Sequence, residues 1–389
     1  MHLLFATSIV PDDRLGSGYE IANDAILGAL RRAGVRVTTL GFTWRDNPRK
    51  SDGDTIVLGE IDVRTETASA VTKLRWLAAA LARGLTFSSA KLLAVGDDVV
   101  RAAIERAGPF DAYVLNSVQF AGAFGHLTTD RPTLFVAHNV EFQSAAENAR
   151  SAGSVLQRLL FAREARLLET LEARLCADAR FVFTLSEEDR IALALAPNRS
   201  AALPLVTRAS VAPQAQRPER AFDAALIGTW TWQPNRVGLE WFLDEVVPHL
   251  PETFTVGIAG SVPAGIASAH PGVRFVGRVP DATAFIRSAS VVPLVSRGGT
   301  GVQLKTIETF ELGLPAVATA SALRGIDHQP ENCIVTDDPV AFAGALIRQA
   351  SGAHSVDGRA FHSAQRAALD RAVARGLSVL GHSRTEVFA

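Results

Sequence analysis

Between Val295 and Val317 the chain reads VSRGGTGVQLKTIETFELGLPAV, with three glycines in four residues followed by one cation, Lys305, and one carboxylate, Glu308. A strand is expected to end near Val295, and a helix to begin near Gly301 or Val302 and stop at Gly313. Gly298, Gly299 and Gly301, with Thr300 among them, let backbone N–H groups turn toward a ligand without obstruction by a Cβ. Lys305 falls in the first helical turn, where a cation opposes the macrodipole unless an anion accompanies it. Glu308 shares its face three residues on and can accept from two vicinal hydroxyls. This is the chemistry of holding a nucleoside diphosphate. An ordinary tight turn carrying a surface Lys–Glu pair would use the same residues, and GxxxxGK[ST] is absent here.

The elements that must position this loop are legible as alternation. A chain of 389 residues with 48% apolar and 20% charged residues is long enough for two cores. Short apolar runs alternate with helical patterns, which predicts parallel sheets with helices on both faces. Expected strands are HLLFAT, VRVTTL, AYVLNS, TLFVAH and FVFTLS in the first half, then AALIG, FTVGIAG, VRFVG, SVVPLV, PAVAT and NCIVT. The polar, proline-bearing stretch Thr207–Arg220 reads as a linker. The expected organisation is therefore a domain over 1–207, a linker over 208–221, a second domain over 222–358, and a closing helix over 359–389 that packs on either one.

Composition narrows the classes. A formal net charge of −1 argues against a global basic field for nucleic acid. Cys176 and Cys333 are too few for a disulfide framework or a thiolate metal site. No apolar run reaches bilayer length and the N-terminus makes a poor signal peptide, so a cytoplasmic location is expected. From Thr67 to Gly96 there is no acidic residue, while Val71, Leu74, Ala78, Leu81 and Leu85 form one helical stripe with Lys73, Arg75, Arg83 and Lys91 off it. A core-facing helix with a solvated cationic side accounts for this pattern. A patch that attracts anionic lipid heads is the sharper reading.

Other candidates lie in the first half. RLGSGYE places Gly16 and Gly18 before an amphipathic helix, but a dinucleotide fingerprint fails, because its third glycine position is Ile21 and no acid closes the second strand. His138 ends the run TLFVA, and the carboxyl ends of parallel strands are where ligands bind. Packing beside an Asn139 N-cap is its structural alternative, Glu141 suits the first turn of the next helix, and Ser186 suits an N-cap. The D-x-D in SDGDT lies in a polar loop and is rejected as a metal site; a helix N-terminus with Lys305 can neutralise a leaving diphosphate instead.

With Lys305 three residues ahead, the run Glu308, Gly313, Pro315 resembles the donor-binding signature of the retaining family 4 glycosyltransferases (glycosyl transferases group 1) of the GT-B fold. LIGTWTWQPNRVGLEWFLDEVVPHLP, VAHNVEFQ and TLSEEDR extend the likeness over nearly the whole chain. The resemblance implies two Rossmann-like domains facing each other across a cleft. It also implies hexosyl transfer from a UDP-sugar or GDP-sugar to a glycan or lipid-linked acceptor in bacterial polysaccharide or glycolipid synthesis. It requires no metal or other cofactor and is compatible with peripheral association at the inner membrane. It places His138 against the donor sugar and the Gly16–Gly18 loop opposite the donor.

Two departures stand out. Thr300 occupies the place of a family Glu, which leaves an inverting outcome open. The Arg and Lys usual after the first strand of the second domain are absent, so Arg236 or Arg297 is the expected substitute phosphate ligand, with backbone around Arg278 to Asp281 framing the base. A sugar-nucleotide epimerase of the same architecture and a noncatalytic nucleotide-sugar binding protein are the rival readings.

Overall fold

The computed structural model describes residues 1–12, 17–65, 67–212, 219–352 and 355–382. It divides into two compact units, Met1–Leu205 with Ala367–Ala389, and Val206–Arg366.

The first unit is built on a sheet of β1 (His2–Ile9), β2 (Arg36–Trp44), β3 (Thr55–Ile61), β4 (Ala112–Asn116), β5 (Thr133–Ala137), β6 (Phe181–Thr184) and β7 (Ser200–Ala202). Their order is β3-β2-β1-β4-β5-β6-β7, every pairing parallel. Leu3, Leu4, Phe5 and Ala6 are fully buried, as expected of a central strand covered by helices on both faces. Phe42, Phe120, Phe124 and Phe135 join them in the core, each burial being worth about 1.5–3 kcal/mol. Chain progression reverses direction between β1 and β4, which opens a crevice at their carboxyl ends.

The second unit repeats the plan with β8 (Phe222–Thr229), β9 (Val256–Ser261), β10 (Val273–Gly277), β11 (Ala289–Leu294), β12 (Ala316–Ala318) and β13 (Cys333–Val335). Their order is β10-β9-β8-β11-β12-β13, again parallel, with the reversal between β8 and β11. All eleven expected strands are present. β3 and β7 are additional: β3 is the run TIVLGEI that follows the polar SDGD stretch, and β7 is only three residues long. The helical pattern after β5 divides into Glu141–Arg150 and Val155–Asp178, and the closing helix runs Gly358–His382.

The helix after the glycine loop differs from expectation. It spans Leu304–Glu311 with Gln303 as its N-cap. Gly299 and Gly301 have φ of 104° and 76°, values incompatible with a right-handed helix, so the loop is longer and the helix starts later. Gly313 ends it at φ 64°, where an added Cβ would lie 2.0 Å from the Val356 carbonyl oxygen.

Candidate functional site

In the second unit the carboxyl end of β8 and the helix Leu304–Glu311 line a recess that includes Trp230, Asn235, Ser296, Gln303, Lys305 and Glu308. The Lys305 ammonium lies 4.9 Å from the centre of the Trp230 ring, a cation–π placement. Trp230 is itself fixed, since it is buried and its Nε1–H donates to the Ala259 carbonyl at 2.8 Å. Gly228 makes room for this arrangement: a Cβ there would lie 2.8 Å from Lys305 Nζ and 3.1 Å from the indole. Its neighbour in the sheet is Gly260, at φ 106°, where a Cβ would meet the Gly228 oxygen at 1.8 Å.

Among the described residues Lys305 makes no ion pair, with Glu308 or any other carboxylate. The surface-pair alternative is therefore not what forms. Burial lowers the Lys305 ammonium to about 8. Glu308 turns instead to the linker side, accepting from Arg208 at 2.6 Å and from Thr283 Oγ1 at 3.2 Å, both through Oε1. Arg208 also donates to Thr283 at 2.9 Å. Only Oε2 of Glu308 is left for a ligand, which narrows the expectation that both oxygens serve it.

The glycine loop is braced from below. Arg324 donates to the Gly299 carbonyl at 2.8 Å, and Ser296 Oγ donates to that of Gly298 at 3.4 Å. With those carbonyls held, the N–H groups of Gly298 and Gly299 have no backbone acceptor among the described residues. Val302 leads from Gly301 into the N-cap. The three arginines named from the sequence are placed differently. Arg236 pairs with Glu240 at 2.7 Å, and Arg297 pairs with Asp337 at 3.0 Å while stacking 4.6 Å over Trp241. Arg278 is exposed and reaches Ser261 Oγ at 3.4 Å. None of them lines the recess that holds Lys305.

The first unit places a buried polar cluster at the carboxyl ends of β1, β4 and β5. His138 Nε2 lies 2.8 Å from Asn116 Oδ1. Asn116 Nδ2 donates to Asn23 Oδ1 at 2.7 Å, to Thr7 Oγ1 at 3.1 Å and to Tyr19 Oη at 3.3 Å. Asn116 Oδ1 is thus the acceptor for His138, so Nε2 carries the proton and Nδ1 presents a lone pair. Burial lowers the imidazole to about 4, which keeps it neutral. Tyr19 packs on it at 4.9 Å between ring centroids, and its hydroxyl lies 2.8 Å from Thr7 Oγ1 and 3.1 Å from Ser117 Oγ. Ser117 holds φ 73°, a conformation rare outside glycine and frequent at functional turns.

Gly18 opens the helix Gly18–Arg32, whose N-cap Ser17 accepts the Glu20 N–H at 3.3 Å and donates through its hydroxyl to Glu20 Oε2 at 2.8 Å; Gly16 lies outside the described residues. Ser186 caps its helix through the Asp189 N–H at 3.1 Å.

Asn139 does not cap the helix after His138. Glu172, from Val155–Asp178, accepts the Glu141 N–H at 3.0 Å and the Phe142 N–H at 2.9 Å. Burial pushes Glu172 up to about 7 against the opposing effect of those N–H groups. The folded protein then holds a proton that the unfolded chain releases near 4.5, so this contribution is full below pH 4.5 and lost as pH rises through 7. Glu172→Gln should flatten the decline in stability over that window, which amounts to about 1–3 kcal/mol in wild type. Urea titrations of both proteins at several pH values check it; parallel pH profiles would refute it.

Sequence reasoning missed Gly228, Trp230, Arg208, Thr283 and Arg324 in one unit, and Thr7, Tyr19, Asn23, Asn116 and Ser117 in the other. Asn116 and Ser117 had a usable signal, since they end a fully apolar strand as His138 does. Arg208 had none, because its stretch reads as linker.

Residues 222–351 match the family model described as glycosyl transferases group 1. Among curated proteins no match is found. The chain is similar in structure to sucrose-phosphate synthase from Thermosynechococcus elongatus, with 16% identity, a TM-score of 0.60, and coverage of 100% of this chain and 99% of that one. It is similar to TarM at 11% identity and a TM-score of 0.62, covering 97% and 98% of the two chains. Anabaena HepE, in a structure with UDP and glucose, is 12% identical with a TM-score of 0.60, covering 97% and 99%. At these identities the likeness is one of fold: two Rossmann-like units of the GT-B type.

Proposed function

We propose that the protein is a glycosyltransferase that moves a sugar, a hexose in the first instance, from a nucleotide-diphosphate sugar to a glycan or lipid-linked acceptor. The observation that carries this reading is the Lys305 ammonium, largely buried against Trp230 in the first turn of the helix that follows the glycine loop and without a carboxylate partner among the described residues, within the stretch that matches glycosyl transferases group 1. A diphosphate supplies the missing counter-charge. Its negative charge grows as the sugar leaves, so Lys305 and the N–H groups of Gly298 to Gly301 bind the transition state more tightly than the ground state.

In this reading Glu308 Oε2 receives a ribose hydroxyl while Arg208 and Thr283 hold Oε1. His138 Nδ1 receives a hydroxyl of the sugar. Retention at the anomeric carbon and a role in bacterial polysaccharide or glycolipid synthesis follow from the resemblance to family 4. The engagement of Arg236 with Glu240 and of Arg297 with Asp337 speaks for Lys305 and the loop N–H groups as the principal diphosphate contacts.

A thermal-shift panel of UDP, GDP, ADP and their sugars tests the donor site. One diphosphate at about 100 times its Kd should add about 2.7 kcal/mol to stability. Absence of a shift with every member would overturn the reading. Acceptor-dependent release of that diphosphate then separates a transferase from a noncatalytic binder.

A further inference from the structure

The stripe on the helix Ala70–Arg83 does not face the core. Val71, Leu74 and Leu81 are 53% to 65% exposed, and only Ala80 of that helix is buried. A second apolar surface, which the sequence pattern did not single out, occupies the first turns of Val155–Asp178. There Val155, Leu156 and Leu159 are 63% to 72% exposed, and Phe161 is also exposed.

The two helices meet. Arg163 donates to the Ala80 carbonyl at 3.0 Å and to that of Leu85 at 3.3 Å, and Glu164 accepts the Phe87 N–H at 2.8 Å. Leu81 and Leu85 therefore sit beside the junction, and Leu159 lies one turn before it.

The two stretches that carry these apolar residues hold charge of one sign. No Asp or Glu occurs between Thr67 and Gly96 or between Asn148 and Arg163. Arg75, Arg83, Arg150 and Arg158 are exposed and Lys73 is partly so. None of the five has a carboxylate partner among the described residues. The acid nearest the junction, Glu164, is used to bind the N–H groups of Phe87 and Ser88.

We infer that these two helices form one bipartite surface that docks on an anionic lipid bilayer, the apolar side chains entering the interface and the arginines meeting headgroup phosphates. The complementary charge singles out this occupant. A second copy of the chain packed on the same face by twofold symmetry would set arginines against arginines. The inference is independent of the donor site, so failure of nucleotide binding leaves it standing, and the reverse.

Co-sedimentation of the full-length protein with phosphatidylglycerol and phosphatidylcholine vesicles tests it. Wild type should bind the anionic vesicles at least about tenfold more tightly, and raised salt should remove most of the difference. The double variants Leu74→Glu/Leu81→Glu and Leu156→Glu/Leu159→Glu should each lower binding by about tenfold. Val340→Glu, at an exposed position on the other unit, should change nothing. Equal and negligible binding to both lipids overturns the inference, as does loss with only one of the two double variants. A reversible dimer in light scattering that both double variants abolish assigns the face to a second copy and overturns it as well.

Discussion

Lys305→Met is expected to make the ligand-free protein more stable while removing its response to nucleotide diphosphates and lowering turnover by about 10²–10³. The two halves of this result have one cause. The wild-type ammonium is desolvated, with its value lowered from 10.5 to about 8, and the Trp230 face contributes about 1 kcal/mol of the compensation. A lysine lowered on folding costs stability wherever the unfolded chain holds its proton more firmly, so the penalty is complete below pH 8 and vanishes above about 10.5. Methionine keeps much of the stem and drops the charge, for a gain of about 1–3 kcal/mol at neutral pH.

The same protonation governs binding. In wild type the affinity for a diphosphate should hold below pH 8 and weaken above it, whereas the methionine variant should show no such limb. Urea unfolding at pH 7 and nucleotide titrations across pH 6.5 to 9.5 provide the measurements. A variant less stable than wild type with undiminished binding would remove Lys305 from the phosphate site.

Asn116→Ala should cost about 2–4 kcal/mol. Asn116 is fully buried and bonded to four side chains, two of which are themselves fully buried. Truncation leaves the His138 Nε2–H and Asn23 Oδ1 without that partner in a place water does not reach freely, and the penalty is the desolvation of both. The variant also frees the His138 tautomer, so Nδ1 ceases to be a dedicated acceptor. The midpoint of chemical unfolding reads the first effect, and nitrogen chemical shifts of the His138 ring read the second. A loss under about 1 kcal/mol with unchanged ring shifts would show that the cluster neither stabilises the crevice nor orients the imidazole.

The sheets were legible because apolar runs of five or six residues bounded by polar turns leave few alternatives, and each expected run became a strand. β7 was not, since Ser200, Ala201 and Ala202 carry no β-branched or aromatic signal and are held by pairing to β6. The glycine loop with Lys305 could be read from local sequence, as backbone freedom and helix position are local properties. Partners distant in sequence could not. Glu308 meets Arg208 from a hundred residues away, and Arg324 reaches back to Gly299. Arg236 and Arg297 look equally free in the sequence, yet Glu240 and Asp337 claim them in the fold. The hydrophobic stripe at Val71 to Leu81 has the right period for a buried face, and periodicity alone does not say whether the partner is a protein core or something outside it.

The indole beneath Lys305 also gives the recess a native optical label. Trp230 is held by its bond to the Ala259 carbonyl, with the Lys305 ammonium close to its face. The energy of an indole's excited state depends on the electric field across the ring. Neutralising or moving that charge therefore alters the colour and yield of the emission from Trp230, one of five tryptophans in the chain, so an emission change on ligand binding that Trp230→Phe removes reports occupancy of the recess.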